Sequence, residues 1–378
     1  MRIEPKHFRE DTRLGKESTV ALRRTFERTD IGKEELIVFL NNMLPNMKPE
    51  LQEHWKQWLN DGGLKKVIGD KDNYNVSETL SQLRDLGDVE GAHLLKRAFA
   101  LLSCDVLDPV SVEKHNPLQL YDDLSITDKE LRSKVKWAGV ANFLVFDLYA
   151  DKERVTRFHI FPKSNDTRIP INQDENIHQH SGHLGSLILA GELVNQQFDI
   201  VSSKSNKSSH GLYDIKYKDN GLKSELTKID NIDANMTSNY AYKAGEHYHV
   251  AGEVEGRESI EYPLKDTDDR KFHLVGNEVL SATLFGVDMS ATLKHDRKRS
   301  VTAILPQDGK ELGSIVEKDR NVRELDEQKI EKLIEEADTK IRAELSQIKK
   351  PNTVMDRGHG ALIAKRAEIY RQNQHHYI

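Results

Sequence analysis

Cysteine is almost missing: Cys104 is the one thiol in 378 residues. That excludes an intramolecular disulfide, a cysteine-rich zinc site and an iron–sulfur cluster, and it fits a reducing compartment. Long apolar runs are missing too. None approaches the roughly 18 residues that span a bilayer, and the opening Met1-Arg-Ile-Glu-Pro-Lys-His-Phe-Arg-Glu has no apolar core of the signal-peptide kind. Neither sign of charge dominates. The 56 Lys and Arg are interspersed with 62 Asp and Glu for a net charge of -6, so there is no electrostatic case for nucleic acid or a membrane surface as partner. No internal repeat, P-loop, dinucleotide fingerprint or Gly-x-Ser-x-Gly elbow is present. These absences set the expectation of a cytoplasmic protein. With 37% hydrophobic residues it can still bury a sizeable core, and its length suits two or more domains.

What is present begins as helix. Leu36, Phe39, Leu40, Met43 and Leu44 mark one helical face, stopped by Pro45. Pro49 opens a second helix carrying Trp55, Trp58 and Leu59, ended by Gly62-Gly63. Ser77 and Asp88 are candidate caps for the next two, with Leu80, Leu83 and Leu86, then Leu94 to Leu102. Thr127-Asp-Lys-Glu130 reads as a capping box before a helix running to Tyr149. This region, 1–150, collects no catalytic residue types. Its tryptophans read as core, and Cys104, with no local base, reads as buried and inert.

From about 150 the pattern shortens to strands. Val155 to Phe161 alternates up to Pro162, and Asp219-Asn-Gly221 is a hairpin signal between Leu212–Lys218 and Leu222–Ile229. Residues 202–211 and 230–239 read as polar connections. Further short strands follow at Ser259–Tyr262, Lys271–Val275 and Ala282–Val287. Many short strands at even spacing argue for a β-barrel or jelly roll. The C-terminal part, 301–378, returns to helix: Ile330, Leu333, Ile334, Ala337, Ile341, Leu345 and Ile348 form one stripe, ended by Pro351. That stripe offers a face to cover the barrel, to pack on the N-terminal helices or to form a homo-oligomer.

The chemistry-bearing stretch is Asn176-Ile-His-Gln-His-Ser-Gly-His183, followed by an apolar run that ends at Gly191. His178 and His180 are two apart, so on a strand they share a face and can share a metal ion. In a chain with 16 histidines the spacing also arises by chance. His247-Tyr-His249 is a second same-face pair: a solvated rim strand, or half of a site with His178 and His180. His183 is either a further ligand or a lining residue.

A matching segment lies downstream. Phe272-His273-Leu-Val-Gly-Asn277 precedes Ser281-Ala-Thr-Leu-Phe-Gly-Val287. With both segments, the chain resembles the cupin superfamily, whose first motif has His-x-His and a hairpin glycine and whose second ends His-x-x-x-Asn. Over roughly 150–295 it is most similar to thiol dioxygenases of the cysteine dioxygenase type. The resemblance implies an α+β fold: a cupin-like barrel over 151–300, flanked by the N-terminal helical region and a C-terminal helix. It implies Fe(2+) held by His178, His180 and His273, and a small thiol oxidised by O2 to a sulfinate. Arg157 is then the group for a substrate carboxylate, with Arg168 as second choice, and Tyr248 and His183 line the site. The sequence departs from the family in three places. The cupin glutamate falls on Leu184 or Gly185, which agrees with a three-histidine site; the family's later His and Tyr fall on Phe285 and Val287, so that Tyr240, Tyr242 or Tyr248 would have to serve instead; and 202–239 is a long insertion. Two other readings stay open: a metal-dependent cupin of another reaction class (lyase, isomerase or other oxygenase), and a non-enzymatic cupin binding module.

Overall fold

The computed structural model describes residues 27–138, 143–163, 177–178, 184–203, 210–218, 223–250, 272–276, 279–288, 300–306, 315–319 and 326–348. Apolar side chains at helical spacing form helices where they were expected. Lys33–Met43 (α1) buries Leu36, Phe39, Leu40 and Met43, and Pro49–Asn60 (α2), opened by its proline, buries Trp55 and Trp58. Gly63–Ile68 (α3), Val76–Asp85 (α4), Ala92–Ser103 (α5), Pro109–Glu113 (α6) and Pro117–Leu124 (α7) follow. The caps differ from the expected ones. Asn75, not Ser77, accepts from the Glu78 N–H to start α4, and α5 starts at Gly91, not Asp88. Asp30–Gly32 (β1) and Asn73–Asn75 (β2) make a small ribbon.

The expected helix from Thr127 to Tyr149 is not there. Asp128 caps only a single tight turn, and the chain then forms Val135–Ala138 (β3) and Phe143–Ala150 (β4). In β4, Phe-Leu-Val-Phe-Asp-Leu-Tyr-Ala is rich in strand formers and almost all buried. A strand covered on both faces has no polar alternation to separate it from a buried helix in the sequence.

The β region holds Arg154–Phe161 (β5), Ile177–His178 (β6), Leu184–Ala190 (β7), Glu192–Ser202 (β8), His210–Lys218 (β9) and Lys223–Lys243 (β10). His247–Val250 (β11), Phe272–Gly276 (β12), Ser281–Asp288 (β13), Ser300–Pro306 (β14) and Ile315–Asp319 (β15) complete it. Strands β11-β7-β13-β5-β4-β3 form one sheet and β15-β10-β8-β12-β6-β14-β9 another, with every pairing antiparallel. From β5 to β8, and again from β11 to β13, successive strands alternate between the two sheets. That winding is the jelly-roll order, and the chain has an α+β fold of two antiparallel sheets backed by helices. The expected polar stretch 230–239 lies within the 21-residue β10.

The six-stranded sheet is buried on both faces. Leu144, Phe146, Phe158, Ile160, Leu187, Leu189 and Leu284 join the N-terminal helices in one continuous core. The C-terminal helix Glu327–Leu345 (α8) adds Leu333, Ile334, Ala337, Ile341 and Leu345 to that core. Its apolar stripe is thus used within the chain. The opposite face carries Val155, Phe161, Leu184, Ile188, Tyr248, Phe285 and Val287, packed with Leu193 from the seven-stranded sheet. At about 1.5–3 kcal/mol per buried apolar side chain, the larger, helix-backed core supplies most of the stabilisation. The smaller space between the sheets is left to hold polar groups. The helical layer sits very close: a Cβ built on Gly185 would lie 2.2 Å from the Val106 carbonyl oxygen. Among the described residues, no helix is long and apolar enough to cross a membrane.

Candidate functional site

Two facing rows of positions define the site. On β8, alternation from Leu193, which packs between the sheets, brings positions 195 and 197 to the same face. Position 197 pairs with His273 on β12, and His273 pairs with His178 on β6. His178 pairs in turn with Ala303 on β14. The neighbouring Ile177 packs in a separate cluster with Ile200, Leu212 and Ile232, as alternation requires of the opposite face. The topology therefore sets two of the three expected metal-binding positions directly opposite one another, on the inter-sheet face. His178 itself is half-buried. His180, His183, Arg168 and Asn277 lie outside the described residues.

The other row runs across five strands of the facing sheet. Tyr248 on β11 pairs with Ser186 on β7, Ser186 with Phe285 on β13, Phe285 with Arg157 on β5, and Arg157 with Asp147 on β4. Two expected site residues, Arg157 and Tyr248, thus share one row. Arg157 Nε donates to Asp147 Oδ1 at 2.7 Å, and Lys136 Nζ donates to the other oxygen, Oδ2, at 2.5 Å. Burial alone would raise the Asp147 pKa, but Arg157 and Lys136 outweigh it and hold the carboxyl below its ordinary value. With Nε anchored, the two terminal nitrogens of Arg157 keep their donors available, and the side chain is 37% exposed.

Tyr248 is buried, and burial pushes its phenol up to about 12, so it stays protonated. Its ring lies 5.0 Å from that of Tyr242, which lies 4.6 Å from Tyr240. The three tyrosines named as alternatives in the sequence thus form one ladder. Phe285 and Val287, which stand where the thiol-dioxygenase family has His and Tyr, are apolar members of the inter-sheet cluster.

His247 goes elsewhere. It lies opposite Leu187 on the helix-facing side, with Nε2 2.6 Å from the Val106 carbonyl, which it must serve as donor. Burial lowers its pKa. It is neither on a solvated rim nor beside His178, so His247 itself does not join a site with His178. The reason is strand parity: Tyr248 takes the inter-sheet face and leaves its neighbour the other one.

Three polar groups on the inter-sheet face were not singled out in the sequence. They are His159, Ser186 and Thr283, all buried; His159 Nε2 and Thr283 Oγ1 make no hydrogen bond, while Ser186 sits against the Tyr248 phenol. The signal for His159 was its place two residues after Arg157 on one alternating strand. Among the described residues no group of three His, Cys, Asp or Glu is clustered as a metal site; His180, the third expected ligand, lies outside that set. Gly191 closes the β7–β8 hairpin as expected, at φ 76°. Its N–H donates to Glu344 of α8.

No protein-family model matches the chain, and no curated protein does. Solved structures overlap it weakly. An RmlC-like cupin from Shewanella frigidimarina is 10% identical, with 42% of this chain and 84% of that one covered at a TM-score of 0.22. An RmlC-like cupin family protein with a double-stranded β-helix fold from Methanocaldococcus jannaschii is 12% identical over 44% and 97%, at 0.21. Hydroxypropylphosphonic acid epoxidase from S. wedmorenis is 11% identical over 56% and 96%, at 0.22. The strand order, rather than these overlaps, carries the fold.

Proposed function

We propose that this chain is a mononuclear non-haem iron dioxygenase that oxidises the sulfur of a small carboxylate-bearing thiol to a sulfinate. The observation that supports it best is the His178–His273 register pair on the inter-sheet face, across from a row holding Arg157 and Tyr248. Positions directly opposite in an antiparallel pair have Cβ atoms about 4.5–5.5 Å apart, a spacing from which two imidazoles can reach one ion. His180, two residues from His178, is the proposed third ligand. His178, His180 and His273 would hold iron(II) through three neutral imidazoles, and the metal would supply the redox chemistry for oxidising a thiol with O2.

The protein's own groups do the rest. Asp147 fixes the Arg157 guanidinium by Nε, and the free terminal fork is shaped for a carboxylate. The protonated Tyr248 phenol offers a donor in the same row. Phe285 and the buried Tyr248 ring give the space between the sheets apolar walls. The overall change, RSH + O2 → RSO2H, places both oxygen atoms on sulfur and needs no further reductant.

The test is oxygen uptake by anaerobically Fe(II)-loaded protein given 3-mercaptopropionate. Arg157→Leu should raise KM by about tenfold or more with a smaller effect on kcat, the mark of lost ground-state binding. Bound metal with turnover that ignores O2 would favour the other metal-dependent cupin reactions. Absence of metal binding would favour a binding module.

A further inference from the structure

Next to the Arg157 row lies another with an unanswered demand. His159 on β5 pairs directly with Thr283 on β13, which pairs with Ile188 on β7. His159 is 4% exposed and Thr283 1% exposed, yet neither His159 Nε2 nor Thr283 Oγ1 has a hydrogen-bond partner. Ser186, two residues from Ile188 on the same face, has the Tyr248 phenol as its neighbour. Each buried polar group left unsatisfied costs about 1–3 kcal/mol, and such groups are uncommon in native proteins. Two at directly paired positions of adjacent strands mark a place built to receive something polar.

The surroundings narrow what it is. The His159 ring lies 4.6 Å from Phe143 and 4.7 Å from Phe285, so its walls are aromatic. Burial first, then the nearby Arg157 charge, hold the imidazole well below its ordinary pKa, and Asp147 opposes this only in part. The imidazole is therefore neutral, able to donate or accept at Nε2. A second cation would be repelled by Arg157, and the one carboxylate nearby, Asp147, is already shared by Arg157 and Lys136. An anion here would have no cation of its own beyond Arg157. An uncharged hydroxyl is the group that fits: it donates to one of the pair and accepts from the other.

We propose that His159 and Thr283 form a hydroxyl-binding subsite beside Arg157, so that the small carboxylate ligand held between the sheets, the thiol of the proposed reaction included, also carries a hydroxyl. Positions 157 and 159 are about 6.6 Å apart along the strand at the usual rise, which suits about four carbons between the two polar ends. The subsite does not depend on a bound metal.

The probes are 4-hydroxybutyrate and butyrate, titrated calorimetrically into the full-length protein as purified. Wild type should bind the hydroxylated probe about tenfold more tightly, the worth of one well-made hydrogen bond. Thr283→Val and His159→Phe should each remove that preference and leave butyrate binding unchanged. His159→Phe, which relieves an unsatisfied group, should also melt at a higher temperature than wild type without ligand. His178→Ala should keep the preference, which separates the subsite from any metal chelation and from the dioxygenase reading. Equal binding of the two probes, no binding of either at tens of millimolar, or a preference that survives Thr283→Val would overturn the proposal.

Discussion

Replacing Gly185 with alanine tests how tightly the helical layer is pressed onto the jelly roll. The added Cβ would lie 2.2 Å from the Val106 carbonyl oxygen, 3.0 Å from its carbon and 3.1 Å from Leu107 Cα. All three are backbone atoms, so no side chain can swing aside, and the 106–107 segment must retreat by about 1 Å to restore ordinary contact. Overpacking of this kind costs about 1–3 kcal/mol. The retreat also stretches the hydrogen bond between the Val106 carbonyl and the half-buried His247 Nε2, now 2.6 Å, and weakening it adds about 1 kcal/mol or more. A loss of about 4 kcal/mol is therefore expected, a large part of the 5–15 kcal/mol typical of a folded protein. Gly286, paired with Gly185 on β13, is the control: its nearest neighbour is the Val106 side chain at 3.4 Å, and Gly286→Ala should cost less than about 1 kcal/mol. Urea denaturation of both variants reads the difference. A Gly185→Ala loss equal to that of Gly286→Ala would refute the close packing and the role given to His247.

Asp147→Asn should destabilise the protein by about 2 kcal/mol at pH 7, since it weakens two charge-assisted hydrogen bonds whose cationic partners are partly in water. Because the folded carboxyl titrates below its ordinary value, this stabilisation is present above the unfolded carboxylate pKa and is lost as pH falls through the folded one. Wild type and variant should thus converge in acid, and a gap that does not change with pH would count against the pairing. Cys104 is 2% exposed, and burial pushes its thiol up to about 12. It should resist a disulfide reagent in the native protein and react in urea, whereas rapid native labelling would contradict the packing around it.

Much of this was legible in the sequence wherever periodicity or glycine chemistry decides the outcome. The α1 and α2 faces, the α8 stripe and the Gly191 hairpin all formed as the pattern asked. Elements covered on both faces were harder. Strand β4 looked like helix because the helical layer and the inter-sheet face both bury it. The second half of β10 looked like a polar connection, because only Ile232 and Ala234 alternate onto the apolar cluster there. For the site, the histidine motifs located β6 and β12, but not their register, which long-range pairing sets. Nor did the sequence reveal which face His247 takes, since a single-residue shift in a strand exchanges the two faces. His159, Ser186 and Thr283 carry no motif. The interest of His159 and Thr283 comes only from what they lack once buried.

The central claim, that His178 and His273 belong to one metal centre, is tested most directly by elemental analysis. Full-length wild type, His178→Ala and His273→Ala would be loaded anaerobically with Fe(II), desalted and measured side by side, with circular dichroism to confirm that each is folded. The account predicts close to one iron per chain in wild type and almost none in either variant. Equal iron in all three, or none in folded wild type, would contradict it.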